Sequence, residues 1–465
     1  MIIMKKTKLQ LILLFIIPLQ FVLAQPSKEY LDNWNDPYIQ QRIEDGIKQN
    51  RMGKFSIQFE DINGNPINNT TVEVHQTKHD FYFGTNGFMY KGFKNPKEND
   101  LFEKNFTQIF NFVTIPFYWP ELEPEPGNLR FDKNSKPIYR RPPPDLVLEF
   151  SNKYDLTPKG HTLVWDHPRW SMPDWLPPNE EIIEKKISKR ISEIAERYGD
   201  DIQIWDVTNE VTSRHPEVVM PKDFVYKTFK ESERLFPHSN DLTLNTETGI
   251  WRRSINREYN ADYLLIENTL LKGAKIDVLG FQYHNFSETE YWEILDGKVF
   301  SPESLFQTLD LYADFNLPIH ITEVTISALS EKGPEYQAIM IENLYKLWFS
   351  HSNVEAIVYW NLVDNTAAPG FVRPDGTTRP AEDKWRGGLL NRDFSKKPAY
   401  EVLDRLINNE WKTNVNLKTS SDSNTLTFNG FYGKYELVVK TAEKTYTKAI
   451  DLGKKSAANQ VVILE

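Results

Sequence analysis

From residue 81 the chain repeats one unit about eight times: a short apolar run, one or two polar residues at its end, then a helical stretch. The apolar runs fall at 81–84, 112–115, 157–164, 202–207, 242–245, 278–283, 319–324 and 356–360. Helical patterns at 180–198, 225–235, 260–271, 305–315 and 336–349 lie between most of them. In the clearest, 180–198, the residues Ile182, Ile183, Ile187, Ile191, Ile194 and Ala195 recur on one face. About eight strand–helix units in roughly 320 residues predict an α/β fold, a (β/α)8 TIM barrel. An open doubly wound sheet alternates in the same way, but no glycine-rich phosphate loop follows the first strand.

The flanks have a different texture. Residues 1–24 read as a secretory signal: Lys5, Lys6 and Lys8 precede a mostly apolar run that ends at Val22-Leu23-Ala24. An uncleaved anchor is the competing reading, but the run is short and carries Pro18 and Gln20. The protein is therefore expected to be secreted or periplasmic, with no stable membrane insertion once the signal is removed. Residues 25–80 read as a polar linker with a short helix, then a β-hairpin in which 54–60 and 71–75 alternate across the Asn63-Gly64 turn. The barrel is expected over 81–410, closed by a helix at 401–407. A small all-β module should occupy 411–465, with strand-like runs at 425–428, 435–439 and 461–464. Neither the hairpin nor this tail can build a core alone, so the two are expected to pack together.

Composition narrows the partners. The 465 residues include no cysteine, which removes disulfides, thiol catalysis and thiolate metal sites. The net charge is −10, and no Lys/Arg cluster interleaves with aromatics, so nucleic acid is not an expected partner. Oligomeric state is not legible in these features.

A barrel of this kind carries its site at the C-terminal ends of the strands. There the polar strand ends should converge: Asn86; Tyr118 and Trp119; His161 and Trp165; Asn209 and Glu210; Asn245 and Glu247; Gln282 and His284; Glu323; Trp360 and Asn361. Three of these are carboxyls, and two of them sit in strand-end motifs of their own: Glu210 closes Trp205-Asp206-Val207-Thr208-Asn209-Glu210, and Glu323 lies inside Leu317–Ile326. Glu210 alone could be a helix-capping residue. Two carboxyls on two strand ends are the minimum equipment for cleaving a glycosidic bond.

On these motifs the sequence resembles glycoside hydrolase family 10, the xylanase-type family. The resemblance covers most of 81–407. It implies that Glu210 is the acid/base and Glu323 the nucleophile of a retaining endo-β-glycosidase. It further implies that His161 and Trp165, from Gly160-His161-Thr162-Leu163-Val164-Trp165, line the reacting-sugar subsite with Trp360. Asn209 would bind a sugar 2-hydroxyl, Gln282 would contact sugar near the reaction centre, and His284 would hydrogen-bond the nucleophile. Tyr118 and Asn245 are further candidate substrate contacts. No cofactor is implied. A metal held by His161, His284 and a carboxylate is the other reading of those histidines, but no HExxH-type spacing is present.

The sequence also departs from the family. Its second strand usually supplies a Glu-Asn pair and a Lys for the glycone sugars; here Thr114-Ile115-Pro116-Phe117-Tyr118-Trp119 lacks the Asn and Lys, although Leu122-Glu123-Pro124 and Gly127 survive. Asp166 replaces a His, Asn245-Thr246-Glu247 replaces Asn-Asp-Tyr, and no second Trp follows Trp360 near 364–369. The expected substrate is thus a β-1,4-xylan or a related polysaccharide, with a decorated or algal β-glycan as an alternative. A noncatalytic glycan-binding protein on the same barrel is the competing class.

Overall fold

The computed structural model describes residues 26–213, 215, 217–372 and 376–465. The signal-like stretch lies outside these residues. Two helices, α1 (Lys28–Trp34) and α2 (Pro37–Arg51), come first, then strands β1 (Met52–Glu60) and β2 (Thr71–His79). Eight parallel strands follow: β3 (Tyr82–Asn86), β4 (Phe112–Pro116), β5 (Thr157–Trp165), β6 (Ile204–Asn209), β7 (Asp241–Thr246), β8 (Val278–His284), β9 (Ile319–Thr325) and β10 (Val354–Tyr359). They pair in chain order, and β10 closes on β3, so the barrel predicted from the alternation is present. A two-residue pair, β11 (Phe371–Val372) and β12 (Thr378–Arg379), lies in the loop after β10.

The barrel strands are buried along nearly their whole length, as parallel strands covered by helices must be. Close packing explains one motif glycine. A Cβ on Gly160 would sit 2.2 Å from the ring of Trp205 on the adjacent β6. Gly160→Ala is therefore expected to destabilise the barrel by about 1–3 kcal/mol, the usual range for overpacking. Urea unfolding of the variant checks this, and an unchanged midpoint would refute it.

The helix Glu180–Tyr198 begins at Asn179, whose side chain accepts from the Ile182 amide. It buries Ile183, Ile187, Ile191 and Ile194, but Ile182 is 40% exposed and does not belong to the core face. The first turn turns Ile182 outward, because it lies a single step of about 100° from Ile183. The closing helix starts earlier than expected, at Pro398, and runs to Arg405 before a π-turn over Leu406–Glu410.

Two readings of the N-terminal region are corrected. The segment read as a linker and short helix is two helices, each with a side-chain cap, Ser27 for α1 and Asp36 for α2. Tyr30, Trp34, Ile39 and Ile43 bury the apolar sides of these helices in the barrel's own core. Four apolar residues in a polar background were too few to show this from periodicity. The expected hairpin is not one either: β1 and β2 do not pair with each other. After the barrel come β13 (Asn414–Lys418), β14 (Thr425–Phe431), β15 (Gly433–Lys440), β16 (Thr445–Leu452) and β17 (Asn459–Ile463). β1 lies between β14 and β17 in one sheet, and β2 between β13 and β15 in another. Alternation showed that both segments are strands but carries no information about their partners.

The two sheets enclose a second core of Phe55, Ile57, Phe59, Val72, Val74, Leu426, Tyr435, Leu437, Val439 and Leu452. Arg51, at the end of α2, anchors the start of β1 to the barrel by donating to the carbonyls of Phe349, His351 and Val354.

Candidate active site

The C-terminal ends of β6, β8 and β9 bring the two glutamates to one amide. Gln282 Nε2 donates to Glu210 Oε1 at 2.9 Å and to Glu323 Oε1 at 2.9 Å. One nitrogen between both caps the separation of the facing oxygens at twice that length. This is below the roughly 6.5 Å at which carboxyls with an intervening water begin. Glu210 follows the last residue of β6 and has φ +51°, the left-handed region that non-glycine residues seldom occupy. Its amide donates to the Asn245 carbonyl at 2.9 Å, which ties this turn to β7.

Glu323 is held from several sides. His284 Nε2 lies 3.1 Å from its Oε2, and the other ring nitrogen lies 3.0 Å from Thr325 Oγ1. Asn245 Nδ2 donates to Glu323 Oε1 at 3.2 Å and to Asn209 Oδ1 at 2.7 Å, while Thr322 Oγ1 donates back to Asn245 Oδ1 at 2.6 Å. His161 Nε2 is 3.9 Å from Glu323 Oε1, and its Nδ1 is 2.8 Å from Asp206 Oδ2. Lys159 Nζ lies 2.7 Å from the other Asp206 oxygen. Burial alone would raise the Asp206 pKa, but Lys159 and His161 outweigh it and hold the carboxyl below its ordinary value.

Glu210 is pushed the other way. Burial, then the Glu323 carboxylate, raises its pKa from 4.5 to about 7, against the hydrogen bond from Gln282 and the field of His284; Glu247 adds to the rise. The two carboxyls thus occupy unlike environments.

A cavity of about 280 Å³ opens over this pair. Of the expected residues, Tyr118, Trp165, Glu210, Glu247, Gln282, His284, Glu323 and Trp360 line it. Phe88, Tyr118, Trp165 and Trp360 form one aromatic cluster, with Trp170 against it. Other expected residues do not line it. Asn209, Asn245 and His161 are almost wholly buried behind the carboxyls, so Asn245 reaches Glu323 rather than the cavity. Trp119 belongs to the main core, where its indole donates to Glu123. Glu123 also accepts from the Gly127 amide, which accounts for the surviving loop motif.

Sequence reasoning missed Arg140, Arg141, His167, Trp170, Arg379 and Glu382, which also line the cavity. All come from the connections that follow barrel strands, Arg379 from the short β12 and Glu382 from a 3-10 turn after it, and no periodicity marks which residues of such connections face a cleft. A larger hollow, of about 740 Å³, lies between the helices Glu180–Tyr198 and Phe224–Leu235 on the barrel's outer wall, away from both carboxyls. Among the described residues, no group of three His, Asp or Glu is placed to hold a metal ion.

Known proteins share this architecture. The chain is 25% identical over 426 residues to the anti-sigma-I factor RsgI6 of Acetivibrio thermocellus, covering 89% of this chain and 48% of that one. It is 23% identical over 425 residues to endo-1,4-beta-xylanase 2 of Arabidopsis thaliana, covering 89% of this chain and 35% of that one. The chain thus spans half or less of both relatives. The crystal structure of native xylanase 10B from Thermotoga maritima superposes with a TM-score of 0.53 at 20% identity, over 71% of this chain and 96% of that one, and so shares the fold. The model of glycosyl hydrolase family 10 matches residues 74–405, from the last strand before the barrel through its closing helix, and the chain accordingly belongs to that family.

Proposed function

We propose that the protein is a secreted, retaining endo-β-glycosidase that hydrolyses β-1,4-xylan or a related polysaccharide. The observation that carries this reading is the shared Gln282 amide, which keeps Glu210 and Glu323 within double-displacement range. In the first step Glu210 gives its proton to the glycosidic oxygen while a Glu323 oxygen attacks the anomeric carbon. The carbon–oxygen bond to the leaving sugar breaks, and a glycosyl ester forms on Glu323. Esterification removes the Glu323 charge, which adds to the rise that burial imposes on the Glu210 pKa, and Glu210, having given up its proton, then takes one from water. That water attacks the anomeric carbon and releases Glu323. Donors from His284 and Asn245 keep Glu323 oriented for attack.

Release of reducing ends from xylan, with proton NMR of the first product, tests the proposal. The β-anomer should appear first; an initial α-anomer would refute a retaining mechanism. Saturable xylan binding without released ends would identify a glycan-binding protein instead.

The Glu210 environment also sets a pH dependence. Its protonated form is the active one, so kcat/KM should fall about tenfold per pH unit above a midpoint near 7. A pH–rate profile whose alkaline limb lies at pH 9 or above would contradict this assignment.

A further inference from the structure

Glycoside cleavage accounts for the floor of the cleft but not for its arginines. Where the family resemblance leads one to expect Asn and Lys for the glycone sugars, β4 is instead followed by Phe117 and Tyr118. Arg141 covers that place. Its guanidinium carbon lies 3.6 Å from the centre of the Tyr118 ring and 5.5 Å from that of Phe88. Arg140 lies beside it, 5.4 Å from the Phe88 ring centre, and donates to Asn361 Oδ1 and to the Thr366 carbonyl. Both line the cavity, yet they are only 4% and 7% exposed.

Buried guanidinium groups are costly unless their N–H groups find acceptors or anions. Among the described residues, the only hydrogen bond made by the Arg141 guanidinium runs from Nη1 to the Arg140 carbonyl at 3.0 Å. Its Nε comes no closer than 3.7 Å to Glu121 Oε2, too long for a hydrogen bond. The Nε of Arg140 is buried without a partner among the described residues. Arg379, which also lines the cavity, lies 3.7 Å from Glu382. Arg140, Arg141 and Arg379 line the cavity together with Glu210, Glu247, Glu323 and Glu382, yet among the described residues neither Arg140 nor Arg141 is paired with any of these four carboxyls.

We propose that this half of the cleft takes a sugar unit bearing an anionic group, a uronate carboxylate or a sulfate half-ester, gripped by Arg141 with Arg140 in support. Planar guanidinium forks match both anions through paired N–H bonds. Trp165, Trp170 and Trp360, which line the same cavity, supply the rings on which the sugar stacks. The proposal rests on the glycosidase reading and specifies its substrate class.

The test compares the purified full chain on four soluble β-1,4-xylooligosaccharides: unsubstituted, glucuronate-bearing, glucuronate-bearing after reduction of the carboxyl to a neutral alcohol, and sulfated. At least one anionic form should show kcat/KM about tenfold above its neutral counterpart, and the arm that does so identifies the anion. In Arg141→Met that ratio should collapse to about one. Arg141→Lys, which keeps the charge and disturbs packing less, should lose most of it, because an ammonium cannot make the paired bonds. For the wild type, raising salt from about 0.05 to 0.5 M should raise KM on the anionic form only. Equal kcat/KM on all four, or a preference that survives Arg141→Met, overturns the proposal. If nothing is cleaved, the glycosidase reading fails. Calorimetry with the same four ligands then decides the inference separately, tighter binding of an anionic form sustaining it and equal binding ending it.

Discussion

Glu323→Ala should abolish turnover of xylan, by more than the ~10²–10⁴-fold that loss of a general acid alone removes. Glu210→Ala should lose about that range. The two variants should then be told apart by added azide. In Glu323→Ala, azide can enter the space left by the carboxylate and displace the leaving group in one step, giving an α-glycosyl azide. In Glu210→Ala, an activated aryl glycoside can still load Glu323, and azide then attacks the ester from the opposite face to give a β-glycosyl azide. NMR of the azide products reads the outcome directly. Exchanged stereochemistry would reverse the two roles, and full xylanase activity in either variant would end the assignment. Two chemically identical side chains, joined by one Gln282 amide, differ in their other partners, since His284 and Asn245 hold Glu323 alone.

The second large effect concerns stability. Lys159→Met should destabilise the barrel by about 3–5 kcal/mol, because it leaves the Asp206 carboxylate buried with one partner fewer. Lys159 and Asp206 face each other across adjacent strands, 2.7 Å apart and almost fully shielded from water. Removing the cation should also let the Asp206 pKa rise toward that of a buried acid. Urea unfolding measures the loss, and the double variant Lys159→Met/Asp206→Leu should recover much of it. A change below about 1 kcal/mol in the single variant would show that the pair contributes little. Because His161 leans on the same Asp206 and approaches Glu323, the folded fraction of Lys159→Met should also turn over more slowly.

The fold was legible where physics acts locally. Each barrel strand was found to within a few residues, since burial on both faces demands an unbroken apolar run. The helix Glu180–Tyr198 was found with its bounds, although Ile182 was placed on the wrong face. Partnership was not legible. Nothing in residues 52–79 says that β1 and β2 pair with strands more than 300 residues away rather than with each other. The same holds at the site. Strand ends announced Glu210, Gln282, His284 and Glu323, whose positions follow from barrel geometry alone. Arg140 contacts Asn361 and Thr366 through a loop whose course only the folded chain defines. Asn245 illustrates the reverse error: a strand-end amide was expected at the sugar, yet it turns inward to the carboxylate.

Interleaved ends also carry a consequence for biogenesis. β1 and β2 leave the ribosome before any strand of the barrel, but every partner they have is translated after it. At 5–20 residues per second, roughly 330 intervening residues impose a wait of tens of seconds. Throughout that interval two alternating, unpaired segments are free to dock on the wrong chain. Translation speed and holdase chaperones should therefore govern the yield of this protein more than the stability of its finished barrel.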